Sequence, residues 1–274
     1  MTYWRYWELS SAPFTGDSKQ PLFRGATVEE ALARVDFLVG NRRSLGLLSG
    51  PGGCGKSSVL RYLAATPPVS AEVPSVSCLR LSMLGLRSGE LTSHLTRALL
   101  SQTNTGCGCD QDRQGLLEWQ SLSDYFNAAA REGVQTLLLL DDAEAATAAA
   151  ETDLCRLLAA TFPLTVILST ASESAVTLQR SLVERVELQI DLPEWELSQT
   201  AAFIAWSLAR VEGKREVFSD EAVDHIQQIS SGIPRRIVQI ADLALVAGAV
   251  AQADQITAET VQQVVLELPK SFAA

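Results

Sequence analysis

Apolar residues recur at Val28, Leu32, Val35 and Leu38, the spacing of one helical face, and predict a helix over residues 28–39. Thr27 and Glu30 have capping-box spacing at its start. The period then changes. Residues 44–49 read as a strand running into a glycine-rich loop, and 56–65 contain no breaker before Pro67 and Pro68, so strand, loop and helix follow in that order. A strand at 75–81 precedes a helix at 89–102, opened by Ser88 and packed through Leu91, Leu95 and Leu99. Residues 103–114, rich in Gly, Asp, Asn and Cys, read as a loop.

A helix at 122–131, closed by Gly133, leads into a nearly continuous apolar run at 134–140 that ends in two acids. Such a run suits a strand covered by helices on both faces. A helix at 152–160, a strand at 164–169, a helix at 173–183 and a short strand at 186–190 complete the alternation, which implies an α/β fold with a parallel central sheet. Beyond Pro193 only helical patterns remain, at 199–211, 220–230, 234–251 and 258–266. Ser219 and Thr257 are placed as N-caps, Pro234 in a first turn, and Gly213 and Gly232 at helix ends. Two domains follow: 1–192 around the sheet, including an N-terminal strap, and a small all-helical domain at 193–274.

Composition narrows the chemistry. With 274 residues and 47% hydrophobic content the chain buries a full core unaided. Its 22 basic against 32 acidic residues, net −10, disfavour a broad nucleic-acid surface. Five cysteines, an odd set, follow an opening MTYWRYWELS that lacks a basic stretch and an apolar core, which predicts free thiols and a cytoplasmic location. Cys107 and Cys109 have no second Cys or His pair nearby and read as loop residues rather than metal ligands. No apolar run reaches the ~18 residues of a spanning helix. The aromatic opening, Tyr3, Trp4, Tyr6 and Trp7, reads as a strap packed on the sheet.

The loop Gly50-Pro51-Gly52-Gly53-Cys54-Gly55-Lys56-Ser57, followed by Ser58, satisfies G-x-x-x-x-G-K-[ST] in full. Its glycines let backbone N–H groups turn inward around phosphate oxygens, at the positive end of the next helix. In that arrangement Lys56 reaches the β- and γ-phosphates of ATP and the Ser57 hydroxyl holds Mg2+. Asp141, at the end of a neighbouring strand, completes the metal shell, and Asp142 orients or deprotonates an attacking water.

The loop together with "TLLLLDDAEAA", "TVILSTASES", "FSDEAVDHIQQISSGIPRRIVQIADLAL" and "ITAETVQQVV" resembles the ExeA-type (general secretion pathway protein A) branch of the AAA+ ATPases, over nearly the whole chain. The opening "YWELSSAPF" and "VEEALARVDFLVG" fit that likeness, and Gly232-Ile233-Pro234-Arg235 is its most specific element outside the loop. The resemblance implies a P-loop sheet domain with a helical lid, ATP and Mg2+ as ligands, and homo-oligomers acting on a protein partner or assembly. Adenine needs apolar walls, for which Phe14 and Phe23 are candidates. It places a polar sensor 1 at Ser169 or Thr170, with Thr170 favoured, sensor 2 at Arg235, and a finger for a neighbouring subunit at Arg185. Asp142 stands where the family usually has glutamate, one methylene longer, which implies slow hydrolysis. Secretion members of the group carry a membrane segment and a peptidoglycan-binding module that these 274 residues do not contain, which weakens a secretion role. A nucleotide-dependent switch and a DNA-bound transposition regulator remain as alternatives, and the lid motif argues against a small-molecule kinase.

Overall fold

The computed structural model describes residues 2–15, 21–70, 72–87, 89–102, 114–172, 178–213 and 215–267. The expected cap Ser88, both cysteines at 107 and 109, and part of the helix expected at 173–183 lie outside them. The chain packs as two units, one formed by residues 29–50 and 56–192 and the other by 1–28, 51–55 and 193–274.

The first unit is built on five parallel strands, β1 (Leu45–Gly50), β2 (Val76–Ser82), β3 (Gln135–Asp141), β4 (Leu164–Ala171) and β5 (Leu188–Asp191), in the order β2-β3-β4-β1-β5. A short α1 (Tyr3–Tyr6) and α2 (Ala26–Gly40) precede β1; parallel pairing then requires crossovers, which α3 (Lys56–Ala65), α4 (Glu90–Gln102), α5 (Gln114–Glu132), α6 (Ala148–Ala159) and α7 (Arg180–Val183) supply. Every residue of β3 is buried, as its unbroken apolar run requires. Alternation then divides the sheet into two faces. Leu45 and Leu47, Leu138 and Leu140, and Val166 and Leu168 point to one, against Leu91, Leu95 and Leu99 of α4, Phe126 of α5 and Leu154 of α6. Residues of opposite parity, such as Gly46 and Ile167, meet Leu38 of α2 on the other, where α3 also packs against β1, β2 and β3.

Strand bounds agree with the sequence pattern to within two residues. The helices differ more. Helix α5 begins at Gln114, eight residues before its expected start, with Gly115 in its first turn obscuring the boundary. Helix α2 begins at Ala26, so Thr27 lies inside the first turn; its hydroxyl instead accepts from Gln199 Nε2 at 3.3 Å.

The second unit contains α8 (Leu197–Ala209), α9 (Asp220–Ser230), α10 (Pro234–Val250) and α11 (Ala258–Glu267). Ser219 and Thr257 cap as expected, accepting from the N–H groups of Ala222 and Thr260. The aromatic strap packs here and not on the sheet. Trp7 is buried and its indole N–H donates to the Leu245 carbonyl at 2.9 Å, Tyr6 donates to Ala253 O at 2.9 Å, and Tyr3 donates to Asp242. Phe14 and Phe23, candidates for adenine walls, join the same core, with Phe23 edge-on to Trp195 and Phe203. The reason is geometric: helices cover both faces of the sheet, whereas α10 presents small residues such as Gly248, where a Cβ would lie 2.7 Å from the Trp7 ring. Trp7→Ala is therefore expected to cost the helical unit about 3–5 kcal/mol. Urea denaturation followed by the fluorescence of the remaining tryptophans checks this, since Trp195 and Trp206 share that core; an unchanged midpoint contradicts it.

Candidate functional site

Strand β1 ends at Gly50, residues 51–55 form the connection, and α3 begins at Lys56. Gly53 and Gly55 have φ of +90° and +106°, values that side-chain-bearing residues rarely adopt, and the Cys54 N–H turns back to Pro51 O at 3.3 Å. Successive residues in such conformations aim N–H groups to one side as an anion nest. Cys54 is buried. The Lys56 ammonium donates to Gly50 O at 2.7 Å, which folds the side chain back over the start of its own loop. Ser57 and Ser58, both half-buried, occupy the first turn of α3, where the helix dipole favours negative charge.

Asp141, the last residue of β3, is 2% exposed. Burial pushes its carboxyl up, but hydrogen bonds from Ser169, Arg80 and Ser57, with the charge of Arg80, outweigh burial and hold it below the usual carboxylate range. The Arg80 contact is an ion pair, Nη2 to Oδ2 at 2.9 Å. Ser169 donates to Oδ1 and accepts from the Asp142 N–H at 3.3 Å, so one hydroxyl ties the two acids together. Asp142 itself adopts φ 56°, ψ 48°, a left-handed conformation tolerated by aspartate better than by most residues, and its Oδ2 accepts from Ser82 Oγ at 2.8 Å.

The two sensor 1 candidates part company at this point. Ser169 shares a face with Asp141. Thr170, fully buried, points to the opposite face, level with Ser49, and donates to Ala171 O at 3.3 Å. Arg80 and Ser82 join the site in addition to the residues expected from the sequence, which carries a signal for them. In the strand VSCLRLS an arginine between two leucines needs a carboxylate partner, and Ser82 falls on its face two residues later.

In the helical unit, the Arg235 N–H donates to Gly53 O at 3.2 Å, and a Cβ on Gly53 would lie 2.9 Å from the Arg235 Cβ. Ile233 makes no side-chain cap at this helix start, so the loop carbonyl satisfies one of the free N–H groups of α10. The Arg235 side chain is exposed, as is that of Arg185, which follows α7 and makes no ion pair among the described residues.

Among the described residues no cluster of three or more His, Cys, Asp or Glu could hold a metal. The oxygen set of Ser57 and Asp141 fits Mg2+ nonetheless, because that ion keeps several waters and takes one or two carboxylates plus phosphate oxygens in place of an all-protein cage.

Three solved structures show the same fold. The ORC2 protein of Aeropyrum pernix, solved as ADPNP–ADP complexes, superposes with a TM-score of 0.68 at 15% identity, covering 94% of this chain and 72% of its own. The ORC1 protein of the same organism, in complex with DNA, gives 0.63 at 15% identity, with 97% and 69% covered. The RuvB Holliday junction branch migration motor of Thermotoga maritima gives 0.58 at 16% identity, with 90% and 70% covered. No curated protein matches the sequence. Residues 40–178, more than half of the chain, match the family model described as AAA domain. That match covers the loop, α3, both acids and Ser169, and on it the chain belongs to the AAA domain family of P-loop nucleoside triphosphatases.

Proposed function

We propose that the chain binds Mg-ATP and hydrolyses it slowly, coupling binding and turnover to subunit association and to remodelling of a partner protein or assembly. The observation that carries this reading is the linked set of Asp141 and Ser169, on one face of the sheet, with Ser57 from the first turn of α3 and Asp142 just past the end of β3. The loop N–H groups and Lys56 hold the phosphates, Lys56 exchanging its bond to Gly50 O for phosphate oxygens. Ser57 and Asp141 hold Mg2+, which when bound draws charge from the phosphate oxygens. Ser169 orients Asp142, and Asp142 positions the attacking water or takes its proton. The Ser82 hydroxyl competes for that carboxylate, which with its short side chain supports slow turnover. Arg235 acts as sensor 2 through the guanidinium while its backbone holds the loop, and Arg185, exposed, acts on the site of a neighbouring subunit.

The tether on Asp142 also favours a second reading, a nucleotide switch in which binding matters more than turnover. A DNA-bound role is disfavoured: the ORC1 relative was solved with DNA, whereas this chain carries a net charge of −10. No helix of the described residues is long and apolar enough to cross a membrane.

Lys56→Ala is expected to weaken ATP binding about 10–100-fold. Asp142→Asn is expected to keep binding and lower turnover about 100-fold or more. Equilibrium binding and phosphate release measure the two, and wild-type turnover no faster than that of Asp142→Asn establishes the switch instead. Ser169→Ala is expected to slow phosphate release by about tenfold or more while Thr170→Val leaves it unchanged, since only the former loses a bond to both acids; the reverse order would restore Thr170 as the sensor. If Arg185 acts between subunits, Arg185→Ala and Lys56→Ala chains, each inactive alone, regain activity on mixing. Sedimentation with a non-hydrolysable ATP analogue should show association under the same conditions, and a monomer throughout would remove the intersubunit role.

A further inference from the structure

Resting on the reading of Asp141 as the Mg2+ acid, we propose that Arg80 is a built-in counter-cation for that carboxylate, allowing nucleotide to bind without metal and giving way when metal arrives. Arg80 lies on β2 level with Leu139, and Ser82 lies level with Asp141, so Arg80, Ser82 and Asp141 share the face that α3 covers. Its Nη2 sits 2.9 Å from Asp141 Oδ2, the carboxylate oxygen that Ser169 leaves to it. The pair is unequal: the Asp141 side chain is 3% exposed and that of Arg80 is 32% exposed.

A carboxylate so buried needs a charge partner in every state of the site. Before metal binds, Arg80 is the cation in ion-pair contact with it. The guanidinium is only half-anchored, because its Nε is buried and has no hydrogen-bond partner among the described residues. A bidentate arginine–carboxylate pair uses two parallel N–H donors, whereas this one holds Asp141 through Nη2 alone and keeps a third of its side chain in solvent, toward which it can turn. Its neighbours on the strand face do not compete for it. Cys78 is neutral, its thiol pushed up to about 12 by burial, and Ser82 is bonded to Asp142.

Two effects follow, and both reduce the coupling between metal and nucleotide. Without metal, Arg80 cancels the repulsion that a bare Asp141 would exert on bound phosphates. With metal, Arg80 competes for Oδ2 and lowers Mg2+ affinity. By linkage the same residue sets how strongly Mg2+ tightens nucleotide binding and how strongly nucleotide tightens Mg2+ binding.

The test uses the full chain and N-methylanthraniloyl-ADP as a fluorescent probe, titrated at low ionic strength in EDTA and in Mg2+. For the wild type, Mg2+ is expected to change affinity by less than about fivefold. For Arg80→Gln it is expected to raise affinity about 10–100-fold, because binding in EDTA falls while binding in Mg2+ is kept. In Arg80→Gln/Asp141→Asn both charges are gone, and binding in EDTA should return to within about threefold of wild type with no response to Mg2+. An Arg80→Gln protein that binds the probe with the wild-type Mg2+ response overturns the proposal, as does a wild type that loses more than about 100-fold in EDTA. Should Arg80→Gln fail to fold, Asp141→Asn is compared with the double variant. Arg80 without its partner then binds the probe in EDTA about tenfold tighter than the double variant, and equal affinities overturn the assignment. Wild-type protein that binds no probe in either buffer overturns the nucleotide-site reading itself, an outcome distinct from an unaltered Mg2+ response.

Discussion

The ion pair and hydrogen bonds around Asp141 are the constraint from which the sheet unit takes its chemistry. A carboxylate taken almost wholly out of water at the end of a buried strand stays charged only if donors converge on it. Three elements send one each: Ser57 from the first turn of α3, Arg80 from β2 and Ser169 from β4. The strand order β2-β3-β4 makes this possible, because it puts Asp141 on the central strand of three with a polar side chain available from either neighbour. Moving any strand by one residue would send its side chain to the other face and leave the acid short of a donor.

The same alternation decides which polar residues belong to the site. Thr170 and Ser49 stand level on adjacent strands, and Ser49 donates to Asp191 on β5. These form a second polar group, on the face away from Asp141. Adjacent residues at the end of one strand thus serve different neighbours, one tying two acids together and the other closing off the strand's last carbonyl.

Much of this was legible in the sequence, for reasons that differ from residue to residue. The loop from Gly50 to Ser57 is legible because its geometry permits few residue types, and Asp141 because an unbroken apolar run must end where its sheet edge begins. Thr170 against Ser169 was not decidable from type, since both are hydroxyl residues at a strand end. Strand phase separates them, and a strand buried everywhere but at its last residue carries no apolar-polar alternation from which to read it. Arg80 is harder to read because its meaning depends on a partner 61 residues away. The strap's partner is hidden for a related reason: aromatic composition announces burial but not against what, and the small residues of α10 that accept Trp7 are neutral in any pattern.

The contact of Gly53 with Arg235 gives the helical unit its own stake in the phosphate loop. A loop that closes around an anion turns its N–H groups inward and its carbonyls outward. Gly53 is in that orientation, and its outward carbonyl is the acceptor that the start of α10 lacks from its own residues. The glycine is required twice, once for its positive φ and once because Arg235 leaves no space for a Cβ. One backbone bond therefore makes a helix cap and a phosphate loop parts of the same structure, so a change in the loop's peptide orientation removes a cap from α10 and the loss of that cap frees the loop.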